Sequence, residues 1–503
     1  MVTLPYLYPA IPLLLLGGAS IGIFLTARLF RTSNRIMAAL SAMLFLLVGL
    51  FLIFENRLIT FAAAFSNPSA FLISRQISMN AFNPSDPGAK TISVLAVGLA
   101  IVVSIFSGEY LHLDRRQHVF YPLLFLMICG FVGMLFATNL MVLYLFCELM
   151  SICAYSLVAF RRQTDTAIEA GFKYLMMGSV ASIVILTGIL FLFLEYGSID
   201  IGDMQTSSGW ISLLGALMFF AGFCLKSALV PLHTWLPDAH GRAPSSISAI
   251  LSGILVQGVL YVLIKNSLAI GLNAHLLGTL LIFLSLLNIL VGNLMGLVQK
   301  HTKRLLGYST IAQMGYITLC MAIGLRTNSV TAIQAGFFII VAHAVAKALA
   351  FLAKGVFHYY VGASEIKDLS RASELPLFPS ISFGLAIISL SALPPFPGFT
   401  GKWFALSSFF SFSEPVSIVS ALVFLAGSLI AFGYYFPLLI QVFIKSTSHI
   451  GRKRATSRKM KMSLWITIPL SMLSAAILYI SLSPQFVLNL SSEAARYLMG
   501  FMR

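Results

Sequence analysis

Long apolar runs separated by short polar connections set the plan of this chain. Runs of spanning length fall near residues 4–27, 36–54, 91–107, 120–137, 139–160, 173–194, 210–232, 245–264, 275–298, 305–325, 330–353, 376–412, 416–441 and 463–482. A helix needs about 20 apolar residues to cross a bilayer, so the pattern predicts an all-α polytopic membrane protein with about 14 transmembrane helices. The first run, Leu4 to Thr26, has no basic leader and no small-residue cleavage site, and reads as a retained span. The runs fall into four blocks: 1–107 with helices one to three, 120–264 with helices four to eight, 275–441 with helices nine to thirteen, and 463–503 with helix fourteen and a tail. No polar stretch is long enough for a second, soluble domain.

Composition agrees. Hydrophobic residues make up 59% of the 503 and charged residues 10%, against about 25% charged in soluble domains; the mean hydropathy is +0.94. A net charge of +16 invites a nucleic-acid reading, but the cations sort by loop. Alternate connections collect 22 of the 32 Lys and Arg, among them Arg28, Arg31, Arg35, Arg115, Arg116, Arg161, Arg162, Lys173, Arg242, Lys300, Lys303, Arg304, Lys354, Lys367, Arg371 and seven cations from Lys445 to Lys461. The other side holds Arg57, Arg75, Lys90, Lys265, Arg326, Arg496 and Arg503. The positive-inside rule then places both termini outside the cytoplasm. Cys129, Cys147, Cys153, Cys224 and Cys320 lie within apolar runs with no CxxC spacing, so no cofactor or metal is expected, and any electron transfer belongs to another protein.

Three lysines, Lys226, Lys347 and Lys402, lie inside apolar runs. A charge near mid-membrane costs roughly 2.5–3.5 kcal/mol on insertion scales, so it is seldom kept without a role. Lys226 is followed five residues later by Pro231, which would break the helix. The segment Ser227-Ala228-Leu229-Val230-Pro231 is echoed by Ser391-Ala392-Leu393-Pro394-Pro395, near Lys402. They fall in the seventh and twelfth runs, an odd number apart, so they cross in opposite directions, the arrangement that marks an ion pathway in transporters. Glu148 lies deep in the fifth run, where a carboxylate and Lys226 would each need the other to stay charged. Such a pair is either a proton relay or a static pair fixing helix packing. His343 and Lys347 stand at i and i+4, on one helical face. Lys402 follows the Pro-Pro-Phe-Pro-Gly break and is either a relay group or an interfacial lysine. Lys265, at the end of the eighth run, is expected to extend its amine to the interface. His233, Asp238 and His240 flank the first break without a metal-ligand spacing and read as a hydrated mouth.

Four segments together resemble one family. WLPDAHGRAPSSISAIL, HTKRLLGYSTIAQMGY, HAVAKALAFLAKG and LPPFPGFTGKW are similar to motifs of the antiporter-like subunits of respiratory complex I, membrane-bound nickel–iron hydrogenases and Mrp-type cation/proton antiporters. The resemblance covers roughly residues 90 to 440. It implies two inverted five-helix repeats with helices seven and twelve broken. It implies a hydrated polar axis of Glu148, Lys226, His343, Lys347 and Lys402, with Glu148–Lys226 as a charge switch. The chain departs from the family twice. Gln257 stands where a lysine is common in helix eight, and His301-Thr302-Lys303-Arg304 replaces Asp-x-Lys-Arg before helix ten.

The expected function is that of a proton-translocating subunit, with sodium as the alternative ion, of a complex I-related redox pump, without a redox centre of its own. The rivals are a subunit of a multi-subunit sodium/proton antiporter and a non-conducting scaffold, the latter favoured by Gln257; a solute carrier would want a substrate cavity that the sequence does not display. Expected partners are other membrane subunits, including a neighbouring antiporter-like subunit, peripheral redox subunits indirectly, and anionic lipids, but not nucleic acid.

Overall fold

Within a bilayer every backbone N–H and C=O must be bonded inside the protein, and an apolar run meets that demand by itself only as a helix. The computed structural model describes residues 11–30, 33–65, 82–114, 116–204, 209–444 and 462–502. Arg31, Arg75, Arg115, the cations from Lys445 to Lys461, Arg503 and the start of the predicted span at 4–27 lie outside the described residues, as do the side chains of Arg28 and Arg57. The helices, in chain order, are α1 (Ile11–Phe30), α2 (Asn34–Phe65), α3 (Pro87–Tyr110), α4 (Gln117–Phe136), α5 (Leu140–Val158), α6 (Asp165–Tyr196), α7 (Trp210–Lys226) and α8 (Trp235–Arg242). There follow α9 (Ser245–Ala269), α10 (Ala274–Leu297), α11 (Thr302–Thr327), α12 (Val330–Val361), α13 (Leu377–Leu390), α14 (Pro397–Phe410), α15 (Pro415–Phe443), α16 (Leu464–Leu482) and α17 (Pro484–Gly500). Among the described residues, 11 helices are long and apolar enough to cross a membrane, and α7 and α13 are shorter apolar helices.

Burial divides them into an inner and an outer set. The central stretches of α9, α11 and α12 are wholly buried, whereas α6, α10, α15 and α16 bury fewer than half of theirs. The outer helices expose large apolar side chains such as Phe172, Leu194, Phe283 and Leu429, which suits contact with lipid or another membrane subunit. The least apolar of the 11 spans, α11, is among those fully enclosed. The polar side chains therefore lie inside: Gln257, Gln313, His343, Lys347 and Lys402 are all buried.

Two apolar helices stop within the bundle, and they stop alike. After α7 the chain turns at Ala228 with φ of 54°, and after α13 it turns at Ala392 with φ of 58°. Residues with a Cβ rarely enter this left-handed region, at a cost of roughly 1–2 kcal/mol. Each turn closes the same pair of bonds: Ala228 N to Leu225 O and Leu229 N to Cys224 O, and Ala392 N to Ser389 O and Leu393 N to Ile388 O. This is the Schellman pattern, which satisfies carbonyls left open at a helix end. Side chains reinforce the first break. Trp235 Nε1 donates to Leu225 O at 3.1 Å, and Val230 N donates to the side chain of Asn288 on α10 at 2.6 Å. At the second break Gly398 permits the close return of α14, since a Cβ there would lie 1.8 Å from Ser389 O.

Two further features bear on the site. Helix α9 contains a π turn at Leu251–Leu255, a distortion often found at functional positions. The tail after α16 forms the 17-residue α17, whose Val487, Leu488, Ala494, Ala495 and Leu498 are buried against the bundle.

Candidate functional site

The break after α7 leaves Lys226 as the last residue of its helix, facing α5 and α6. Helix α5 starts from Asn139, whose side chain accepts from the Met141 and Val142 amides, and carries Glu148 at its middle. Lys226 Nζ lies 3.0 Å from Glu148 Oε1 and 2.9 Å from Ser151 Oγ. The Ser182 hydroxyl of α6 donates to the same Glu148 oxygen at 2.5 Å. The ammonium thus has two partners one helical turn apart, a carboxylate and a hydroxyl. A cavity of about 20 Å³, lined by Ser151, Tyr155, Lys226, Trp235, Leu255 and Val256, lies beside it and is large enough for one water.

On the far side of α9 the row continues. His343 Nε2 lies 3.3 Å from the Ser252 carbonyl of the π turn, and the Ser252 hydroxyl is 2.6 Å from that of Thr310. Lys347, one turn along α12, donates to Leu306 O at 2.7 Å and to the Ser309 hydroxyl of α11. A second small cavity, about 10 Å³, is lined by Gln313, His343, Ser389, Gly398 and Lys402. Lys402 donates to Ser428 Oγ at 2.9 Å and stands over the Tyr316 ring, 4.1 Å from its centre, and the Phe424 ring at 5.9 Å. Gln257 of α9, five residues on from Ser252, is buried, with neither amide atom bonded to protein.

The structure thus brings Glu148 and Lys226 together, sets His343 with Lys347 on one face of α12, and places a cavity between His343 and Lys402. Among the described residues neither Lys347 nor Lys402 has a carboxylate partner. His240 is fully buried against Phe351, with both ring nitrogens unpartnered, whereas His233 is half-buried. Asp238 is engaged by Arg304 at 3.3 Å and Lys173 at 3.5 Å. Lys265 does not extend to an interface as expected: it is buried and paired with Asp86 at 3.0 Å. A carboxylate 179 positions away from it gives the better-satisfied position, and sequence spacing alone carries no sign of that contact. Ser182, Asn288 and Tyr316 were also missed, since hydroxyl and amide groups are common in spans and none marks itself.

The model of the family described as NADH:quinone oxidoreductase/Mrp antiporter, transmembrane region, matches residues 137–430, which hold the whole row. The chain belongs to this family. Within it, the chain is 29% identical over 478 residues to NADH-quinone oxidoreductase subunit N of Herminiimonas arsenicoxydans, covering 87% of this chain and 92% of the relative. It is 31% identical over 367 residues to subunit N of Geotalea uraniireducens, covering 72% and 75%. The fold of this family member is shared with a chain of the archaeal membrane-bound sulfane sulfur reductase, with a TM-score of 0.80 at 20% identity over 98% and 97% of the two chains. It is shared equally with a chain of the Mrp complex from Dietzia sp. DQ12-45-1b, with a TM-score of 0.79 at 18% identity over 99% of both. The chain is a subunit-N-like, antiporter-type polytopic membrane subunit.

Proposed function

We propose that this chain is the proton-translocating, antiporter-like subunit of a redox-driven pump related to complex I. The observation that carries the reading is the Lys226–Glu148 pair at the head of an enclosed row running past His343 and Lys347 to Lys402. Lys226 is held by Glu148 and Ser151 together, so a charge arriving near Glu148 can draw the carboxylate away while the hydroxyl keeps the ammonium. The uncompensated ammonium then repels the next positive charge along the row through water in the two small cavities. Moving one charge against 100 mV requires about 2.3 kcal/mol, within reach of a rearranged buried ion pair.

The architecture we infer has 14 spans in two inverted five-helix repeats, supported by the matched Schellman ends at Ala228 and Ala392. Both termini lie on the non-cytoplasmic side, opposite the basic loops. A neighbouring membrane subunit covers the flank where Glu148 surfaces: 24% of its side chain is exposed against 5% for Lys226, and a carboxylate at that depth is costly against lipid. Similarity to quinone oxidoreductase subunits over most of the chain supports a redox-driven complex. The shared fold with an Mrp chain supports a second reading, a subunit of a sodium/proton antiporter.

The test is ion movement by the intact complex in vesicles, with Lys226→Ala and Glu148→Gln beside the wild type and assembly checked on native gels. Loss of transport in an assembled complex is expected. Unchanged transport in both variants would leave a scaffold. Transport driven by an imposed sodium gradient without any redox reaction would select the antiporter reading.

A further inference from the structure

A second buried lysine–carboxylate pair stands outside the row. Asp86 caps the first turn of α3, its Oδ1 accepting from the Ala89 amide at 2.9 Å. The same oxygen accepts from the Tyr261 hydroxyl at 2.5 Å, and Oδ2 accepts from Lys265 Nζ at 3.0 Å. Lys265 also donates to the Leu135 carbonyl at 2.7 Å. Asp86 has no exposed surface. Gly88 makes room for this contact, since a Cβ there would sit 2.7 Å from the Tyr261 ring.

Two features exceed what a clamp between α3 and α9 requires. Lys265 lines a recess of about 450 Å³ together with Asn83, Asp200, Asp203 and Tyr497. An ammonium carries three N–H groups; Asp86 and Leu135 take two, which leaves one for the recess that Lys265 lines. The recess accommodates a group of waters at roughly 30 Å³ each. Its wall includes the C-terminal helix, because Tyr497 of α17 accepts from Asn83 Nδ2 at 2.7 Å. The second feature is the stripe formed by Gln257, Tyr261 and Lys265, spaced at i, i+4 and i+8 on α9, hence on one face and spanning a rise of about 12 Å. Gln257 is buried with both amide atoms unpartnered, five residues along α9 from Ser252, whose carbonyl meets His343 of the row. A buried amide left unpaired costs about 1–3 kcal/mol, which is recovered when water reaches it.

We propose that Asp86, Tyr261 and Lys265 form a protonatable port joining the polar row, by way of Gln257, to the recess beside the C-terminal helix. Its ligand is the proton, and it rests on the proton-translocating function proposed above. In one transit the Lys265 ammonium releases a proton to water in the recess. Tyr261 passes its hydroxyl proton to Asp86 while its oxygen takes one from water on the Gln257 side. Asp86 then hands its proton to the Lys265 amine, restoring the ion pair. One proton enters, one leaves, and every group ends as it began.

The experiment uses the intact complex in vesicles and reads ions moved per turnover of the driving reaction. Tyr261→Phe removes one oxygen and keeps the ring, and Asp86→Asn keeps the shape of the cap; Lys226→Ala is run alongside. The port predicts normal assembly of Tyr261→Phe with at least a twofold fall in ions per turnover, and the same fall in Asp86→Asn where it assembles. Wild-type ratios in Tyr261→Phe, with transport abolished in Lys226→Ala, would overturn the port and leave the proposed function standing. Wild-type transport in all three would overturn both. Failure of Tyr261→Phe to assemble would mark the cluster as structural and overturn the port.

Discussion

Lys226 and Lys402 stand beside the two matched breaks, yet their charges are met in different ways. Lys226 has a full opposite charge at 3.0 Å and a hydroxyl at 2.9 Å. Lys402 has a hydroxyl at 2.9 Å and two aromatic faces, Tyr316 at 4.1 Å and Phe424 at 5.9 Å. An ion pair must be broken before its lysine moves, and breaking leaves two unmatched charges in a dry place. A cation held by a ring quadrupole leaves no charge behind, and that contact is worth about 0.5–2 kcal/mol. The same backbone device therefore serves two tasks: the first break holds a switch with a barrier, and the second holds a cation ready to pass on what it receives.

The largest predicted effect breaks the first member of the comparison. Glu148→Ala strands the Lys226 ammonium, and loss of one partner of a buried pair costs about 3–5 kcal/mol. Accelerated thermal inactivation of the complex and loss of transport are expected. Glu148→Gln combined with Lys226→Met removes both charges, so stability should return while transport stays absent. A double variant that transports normally would show the pair to be packing alone.

The second prediction makes the two regions alike. Ser428→Asp would give Lys402 the carboxylate it lacks, turning the passing site into a holding one. Transport should fall about tenfold or more, as expected for a charge contact worth a little over 1.4 kcal/mol, with assembly retained. The milder third change tests the ring. Tyr316→Leu removes the cation–π contact and Tyr316→Phe keeps it, so Leu should slow transport severalfold and Phe should stay within twofold. Equal effects of the two would place the role of Tyr316 in its hydroxyl, which accepts from Asn293.

The same contrast explains what the sequence made legible. A charge in an apolar run is costly, so Glu148, Lys226, His343, Lys347 and Lys402 announced themselves one by one. The breaks were legible from the echoed Ser-Ala-Leu and its prolines. What balances each charge was far less so. Glu148 could be matched with Lys226 because both lie deep in spans, but Asp86 sits in a polar loop before Pro87 and is indistinguishable there from any turn residue or helix cap. Its pairing drew Lys265 inward, against the usual behaviour of a lysine at a span end. Ser182, Ser428 and Tyr316 cost little to place in a span, so their presence carries no signal until the helices are packed.

The smallest predicted effect adds a carboxylate where no relay runs, as a control on Ser428→Asp. His301 occupies the position where Asp is common before α11, and its imidazole is held down at about 4 by burial first, then by Lys354, Lys303, Arg242 and Arg304. Its value in the folded chain lies below the unfolded one of about 6.5, so its contribution to stability is present above pH 6.5 and is lost as the pH falls toward 4. His301→Asp replaces a neutral ring with an opposite charge among four cations. After screening at a half-buried site the gain should be about 1 kcal/mol or less, and the loss of melting temperature between pH 7 and pH 5 should shrink. Transport at pH 7 should not change, because His301 lies at the end of α11 and away from the row. If His301→Asp depresses transport as Ser428→Asp does, any added carboxylate near a buried lysine traps charge, and the distinction between a holding and a passing lysine fails.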